Sequence, residues 1–122
     1  MKLHLANPGD TKFFTAHGAD HVMVNGERHE TNLLVLPDRL LRWTAVSFEA
    51  LAESDFEGLL ALAPEIVLLG TGPRQRFPHP RLTRALAARR IGVEAMDLHA
   101  ACRTYNFLMA EDRRVAAALL FA

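Results

Sequence analysis

The sequence predicts an α/β fold in which an N-terminal β meander is followed by a β-α-β-α-β half with a mainly parallel sheet. An Asn-Gly dipeptide sits between short runs of strand character near the N-terminus. Further on, short continuous apolar runs alternate with stretches whose apolar residues recur at steps of three and four. No linker composition interrupts the 122 residues, so a single domain over 1–122 is expected.

The meander spans Phe13 to about Trp43. His21-Val22-Met23-Val24 and Glu27-Arg28-His29 flank Asn25-Gly26, and both central residues of a two-residue hairpin turn need positive φ, which Asn and Gly tolerate. Leu33-Leu34-Val35-Leu36 reads as a buried strand, and Pro37-Asp38 turns the chain into Arg39 to Trp43. Ser54 or Asp55 can cap a helix carrying Phe56, Leu59, Leu60 and Ala63, which Pro64 stops. Glu65 to Leu69 is an apolar run of the kind covered on both faces. After the turn-rich loop Gly70 to Pro78 a helix is expected over Pro80 to Arg90, a strand over Gly92 to Met96, a helix over Asp97 to Ala110 and a last strand over Val115 to Phe121. That order requires two right-handed crossovers.

Half of the residues are hydrophobic and 23% are charged, which excludes disorder and collagen-like repeats. Fourteen basic and 14 acidic side chains cancel, but unevenly. Residues 1–65 hold ten acids and five bases, whereas Ile66 to Val93 holds six Arg and no acid. Arg89 and Arg90 fall in the last turn of their expected helix, where cations complement the helix dipole, and Arg84 falls on a solvated face. Arg74, Arg76 and Arg81 gather instead at a loop and a helix N-terminus, a patch that Arg103 would join across the sheet edge. The single cysteine, Cys102, forms no internal disulfide and suits a reducing compartment. The six His residues at 4, 17, 21, 29, 79 and 99 show no ligand spacing, so neither metal nor cofactor is expected. Met1 to Asp10 has no apolar core of a signal peptide and little of the Arg of a transit peptide, and the chain is expected to be cytoplasmic without membrane insertion.

Ligands of parallel sheets sit outside the carboxyl ends of the strands. Two neighbouring ends are loaded with polar groups, Gly70-Thr71-Gly72-Pro73-Arg74-Gln75-Arg76-Phe77-Pro78 and Asp97-Leu98-His99 before Cys102 and Arg103. Gly-Thr-Gly either presents backbone N–H groups to an anion or is a tight turn that needs positive φ; it is neither a Walker loop nor a dinucleotide-binding fingerprint. Asp97 is either a general base or a helix cap. Cys102, three residues from His99, is either a thiol activated by a helix N-terminus and Arg103 or a small buried hydrophobe. Arg103 and Asn106 share a helical face that could hold a carboxylate or phosphate, unless Arg103 pairs with an acid and Tyr105 packs on the sheet.

The ordered run Leu33-Leu34-Val35-Leu36-Pro37, Pro64-Glu65-Ile66-Val67-Leu68-Leu69-Gly70-Thr71-Gly72, Arg76-Phe77-Pro78, Gly92-Val93-Glu94-Ala95-Met96-Asp97 and Ala100-Ala101-Cys102-Arg103-Thr104-Tyr105-Asn106 resembles the Mth-type domain family of unknown function. Its relatives include mitochondrial complex I assembly factor three and an adipogenesis-associated protein. The resemblance implies a three-layer α/β fold with a mixed central sheet and a marked surface, and no assigned reaction. Leu98 departs from the family, which usually has Thr after the Met-Asp pair. The expected function is a non-catalytic binding or assembly module, by analogy one that assists respiratory-complex assembly, with a protein partner docked on Gly70, Thr71, Gly72, Arg74, Arg76, Phe77, Arg81, Arg103 and Asn106. The alternative is a protein or enzyme that binds a small anion at the same loop with Asp97, Cys102 and Arg103. Nucleic acid is not the expected partner, because aromatic interleaving and recognition motifs are missing.

Overall fold

The computed structural model describes residues 11–121; the first ten residues, on which the expectation about a leader rests, and the outer ends of the expected 1–122 domain lie outside them. The chain is α/β and three-layered. Strands β1 (Phe14–His17), β2 (Val22–Val24) and β3 (Glu27–His29) form one antiparallel sheet, closed at Asn25 and Gly26 with φ of 50° and 83°. Strands β4 (Leu33–Leu36), β5 (Arg39–Arg42), β6 (Ile66–Thr71), β7 (Gly92–Met96) and β8 (Val115–Leu120) form a second sheet in the order β5-β4-β8-β6-β7. The expected meander is therefore divided. β4 pairs with β5 and, antiparallel, with β8 rather than with β3, because its continuously apolar residues are covered only inside the larger sheet.

β6 is the axis of that sheet, parallel to β7 on one side and to β8 on the other. The β6–β7 crossover carries a 3-10 turn (Pro80–Thr83) and α2 (Arg84–Ala88); the β7–β8 crossover carries α3 (Leu98–Ala110). Side chains alternate along each strand, so the two crossovers build two cores. Val67, Leu69, Ala116 and Ala118 pack with Phe56, Leu59, Leu82 and Leu86, whereas Leu68, Ala117 and Leu119 pack with Leu98, Ala101, Cys102 and Tyr105 of α3 and Phe14, Val22 and Val24 of the small sheet. β8 is buried along its whole length, as a strand between two covering layers must be.

Both shorter helices are less regular than their periodicity suggests. α1 covers only Glu53–Glu57 with Ala52 at its N-cap; Asp55 lies inside it and accepts the Ala52 N–H at 2.9 Å, so it closes the first turn from within. Gly58 ends α1, and a 3-10 turn (Leu60–Leu62) leads to Ala63 at φ 52° before Pro64. The expected helix over 80–90 is broken at Thr83, whose φ of −109° is not helical and whose hydroxyl bonds back to the Pro80 carbonyl. β6 instead runs two residues beyond Leu69, which carries Gly70 and Thr71 into the sheet.

Gly70 sets how closely α3 approaches β6. A Cβ there would lie 2.8 Å from Leu119 Cδ2 and 3.2 Å from Ala101 Cβ. Gly70→Ala should therefore lower stability by about 1–3 kcal/mol through overpacking, read as a lower urea midpoint with an unchanged slope.

Candidate functional site

The carboxyl ends of β6 and β7 meet at one rim, organised by the buried hydroxyl of Thr71. Thr71 Oγ1 lies 2.6 Å from the Arg74 carbonyl and 3.2 Å from the Met96 carbonyl, its acceptors, and it accepts the Arg76 N–H at 3.0 Å. One side chain thus closes the loop after β6 onto itself and onto β7. Gly72, at φ 86°, turns its carbonyl to accept the Leu98 N–H at 2.8 Å and so seats the first turn of α3. Gly70-Thr71-Gly72 is occupied by close packing, a hydroxyl-centred turn and a helix seat.

The arginines of the loop have different fates. Arg76 points inward, its side chain 18% exposed; it donates to the Thr71 carbonyl at 3.0 Å and to Glu49 at 3.1 Å, and it stacks over Phe48 at 4.5 Å. Its Nε is buried without a partner among the described residues. Arg74 and Arg81 are exposed and make no ion pair among the described residues, and Phe77 beside them is 75% exposed. The interior of the loop is pinned and its outer face is left free.

Arg103 stands elsewhere. It is exposed on the second turn of α3, beside the ring contact of His17 with His99, whose Nδ1 atoms meet and whose centroids are 4.7 Å apart. Arg103 and Arg76 are not brought into contact: Arg76 lies under the 48–49 segment, whereas Arg103 acts on His17 on the α3 face. Asn106 is committed to the backbone of β1, accepting the Phe14 N–H and donating to the Phe14 carbonyl, both at 2.8 Å. Tyr105 beside it is buried and donates to the Lys12 carbonyl. Asp97 caps α3, accepting the Ala100 N–H at 2.9 Å. Cys102 is fully buried, and burial pushes its thiol up to about 12 against a smaller opposing pull from Arg103.

Three partners escape sequence reasoning, Glu49, Phe48 and the His17–His99 pair, because each is distant in sequence from the residue it serves. A signal for one class was present: carboxylates of the acidic first half meet cations of the second in Glu49–Arg76, Glu53–Arg84, Glu65–Arg113 and Asp38–Arg114. Among the described residues no three His, Cys, Asp or Glu side chains gather as a metal site. No helix among them is long and apolar enough to cross a membrane.

The buried thiol should stay unreacted with Ellman's reagent in the folded protein at pH 8 and react in full in denaturant; prompt labelling of the native chain would contradict its placement. His17 titrates below its ordinary 6.5, chiefly because burial disfavours its charge, then because His99 and Arg103 repel it; His21 adds to this, and Asp97 opposes it. A depressed His stabilises above its unfolded value, so stability should hold above about pH 6.5 and fall as the pH drops below it. His17→Asn should flatten that fall in a series of melting curves.

Residues 14–120 match the family described as "Protein of unknown function (DUF498/DUF598)". Among curated proteins the chain is 34% identical over 110 residues to the bovine NADH dehydrogenase [ubiquinone] 1 alpha subcomplex assembly factor 3, a match to 88% of this chain and 60% of that protein. The human counterpart is 33% identical over the same spans. The chain thus covers about 60% of the length of these relatives. Among solved structures, a Bordetella parapertussis protein superposes with a TM-score of 0.85 at 40% identity, covering 90% of this chain and 95% of that one. A Bordetella pertussis protein described as an Mth938-like domain gives 0.81 at 35%, covering 98% and 92%. With the family's pattern matched from β1 to the end of β8, the chain belongs to this Mth938-like family of proteins of unknown function.

Proposed function

We propose that the chain is one Mth938-like domain acting in the cytoplasm as a non-catalytic docking module that helps a protein partner assemble, by analogy with the relatives named as complex I assembly factors. The observation that carries this reading is the loop after β6. Thr71 and Arg76 hold it from within while Arg74, Phe77 and Arg81 face outward. A loop fixed on its inner side loses little conformational entropy on binding, which favours docking. Gly70, Gly72 and Arg76 position this surface, whereas Asn106 ties α3 to β1 instead, and the residues that meet the partner are Arg74, Phe77 and Arg81. The groups from which chemistry would be built are otherwise engaged: the Cys102 thiol is sealed, and the Asp97 carboxylate accepts a helix N–H.

A second reading, a small carboxylate or phosphate held at Arg103, is favoured by one observation. That guanidinium is exposed beside His17 and His99 and makes no ion pair among the described residues. Under that reading phosphate raises the melting temperature and Arg103→Ala abolishes the rise.

The docking reading is tested with the tagged protein as bait in lysate of its own source, beside the variant Arg74→Glu/Arg81→Glu. A partner retained by the native bait should be lost or reduced about tenfold with the variant, since reversal of free cations turns attraction into repulsion. A complex undiminished by the reversal would overturn the reading.

A further inference from the structure

We propose that the outer edge of β7 is the docking site for an extended, acid-flanked segment of a protein partner, which adds a strand to the central sheet beside Phe77. The proposal rests on the docking reading above and names the mode by which a partner is held.

β7 is the last strand of the sheet, paired only with β6. The Met96 carbonyl faces Thr71 of β6, and successive residues of a strand turn their backbone groups to opposite sides. Val93 and Ala95 therefore turn theirs away from β6. Among the described residues no main-chain group pairs with this outer edge. What meets it is the exposed side chain of Gln75, whose Nε2 donates to the Ala95 carbonyl at 2.8 Å. Gln75 thus supplies the hydrogen bond that an added strand would supply, and an exposed side chain is readily displaced. Alongside the edge runs a groove of about 440 Å³, walled by Phe77, Pro78, Pro80 and Thr83 and floored by Val93 to Ala95.

Other edges are guarded, that of β1 by Asn106, which accepts the Phe14 N–H and donates to the Phe14 carbonyl, and those of β5 and β3 by charge. β5, the far edge of the same sheet, begins and ends with exposed Arg39 and Arg42, and β3 carries exposed Glu27 and Arg28. Charges at such positions discourage strand addition. β7 has a single charge, Glu94, while Val93 and Ala95 lie against the core on the α2 side. A strand seated here has alternate side chains on the groove side, where apolar groups fit, and the others on the Glu94 side, where neutral groups fit.

The charge around the edge fixes the occupant. Arg74 precedes the groove wall in sequence, Arg81 stands within it between Pro80 and Thr83, and Arg89 and Arg90 precede β7; all four are exposed and make no ion pair among the described residues. An apolar centre with acidic ends complements this arrangement. A second copy of the chain does not, because antiparallel β7–β7 pairing centred on Glu94 sets like charges opposite each other. A nucleic acid offers no alternating amide groups to pair with a strand.

The probe is the nonapeptide Asp-Glu-Val-Thr-Val-Thr-Val-Glu-Asp, titrated into 15N-labelled full-length protein and followed by amide shifts and hydrogen exchange. Saturable shifts should centre on Phe77, Val93 and Ala95, and exchange at the Val93 and Ala95 amides should slow about tenfold or more. The variant Arg81→Glu/Arg89→Glu should weaken the acidic peptide about tenfold and favour the same peptide with Lys at its ends. Shifts confined to the arginines, with Val93 and Ala95 exchanging as before, would overturn strand addition while leaving partner docking through the arginines in place. Absence of saturable binding, equal protection by a poly-dT 20-mer, or protection of the two amides that rises with protein concentration without peptide would each overturn it as well.

Discussion

At the end of β6 a single buried hydroxyl joins the two strands and the loop from which the whole polar rim is built. Thr71 Oγ1 takes the Arg76 N–H and gives its proton to the carbonyl acceptors of Arg74 and Met96. Leaving such a group buried and unpaired costs about 1–3 kcal/mol, so the loop folds around it. On one side of this point Gly70 lets α3 lie against β6, and Gly72 receives the first amide of α3. On the other side Arg76 is drawn inward to Glu49 and Phe48. Arg74 and Phe77 are left facing solvent because their neighbours are held from within.

The electrostatic pattern follows from the same construction. A neutral chain with an acidic first half and an arginine-rich segment would waste its asymmetry if every pair closed. Arg76, Arg84, Arg113 and Arg114 do meet acids of the first half, whereas Arg74, Arg81, Arg89 and Arg90 meet none among the described residues. Exposed pairs contribute little to stability. Partly buried Arg76 and Arg114 are the exceptions: Arg76 carries an ion pair, a main-chain hydrogen bond and a ring contact together, and Arg114 adds two hydrogen bonds to the Leu62 carbonyl to its pair with Asp38.

Legibility in the sequence tracked the range of the interaction responsible. The Asn25-Gly26 turn, β4, β7, α3 and its Asp97 cap were readable because they depend on local φ preference, alternation and capping. The shortness of α1 and the break at Thr83 were not, because a helical period survives in sequence even where the turns that carry it are 3-10. The split of the meander was hidden for another reason: β4 is apolar on both faces, and only the distant β8 shows where such a strand belongs. At the site, the loop and its neighbour Asp97 were legible as a rim, but the inward turn of Arg76 depends on Glu49 and the commitment of Asn106 depends on Phe14, each far away along the chain.

If the Thr71 hydroxyl holds the rim, Thr71→Val, which removes it at nearly constant volume, should release the loop. Amide hydrogen exchange should show the Arg76 N–H losing about tenfold or more of its protection, while Ala117 and Leu119 in β8 keep theirs. Equal protection at Arg76 in the variant and the native protein would mean that the loop is held without the Thr71 hydroxyl.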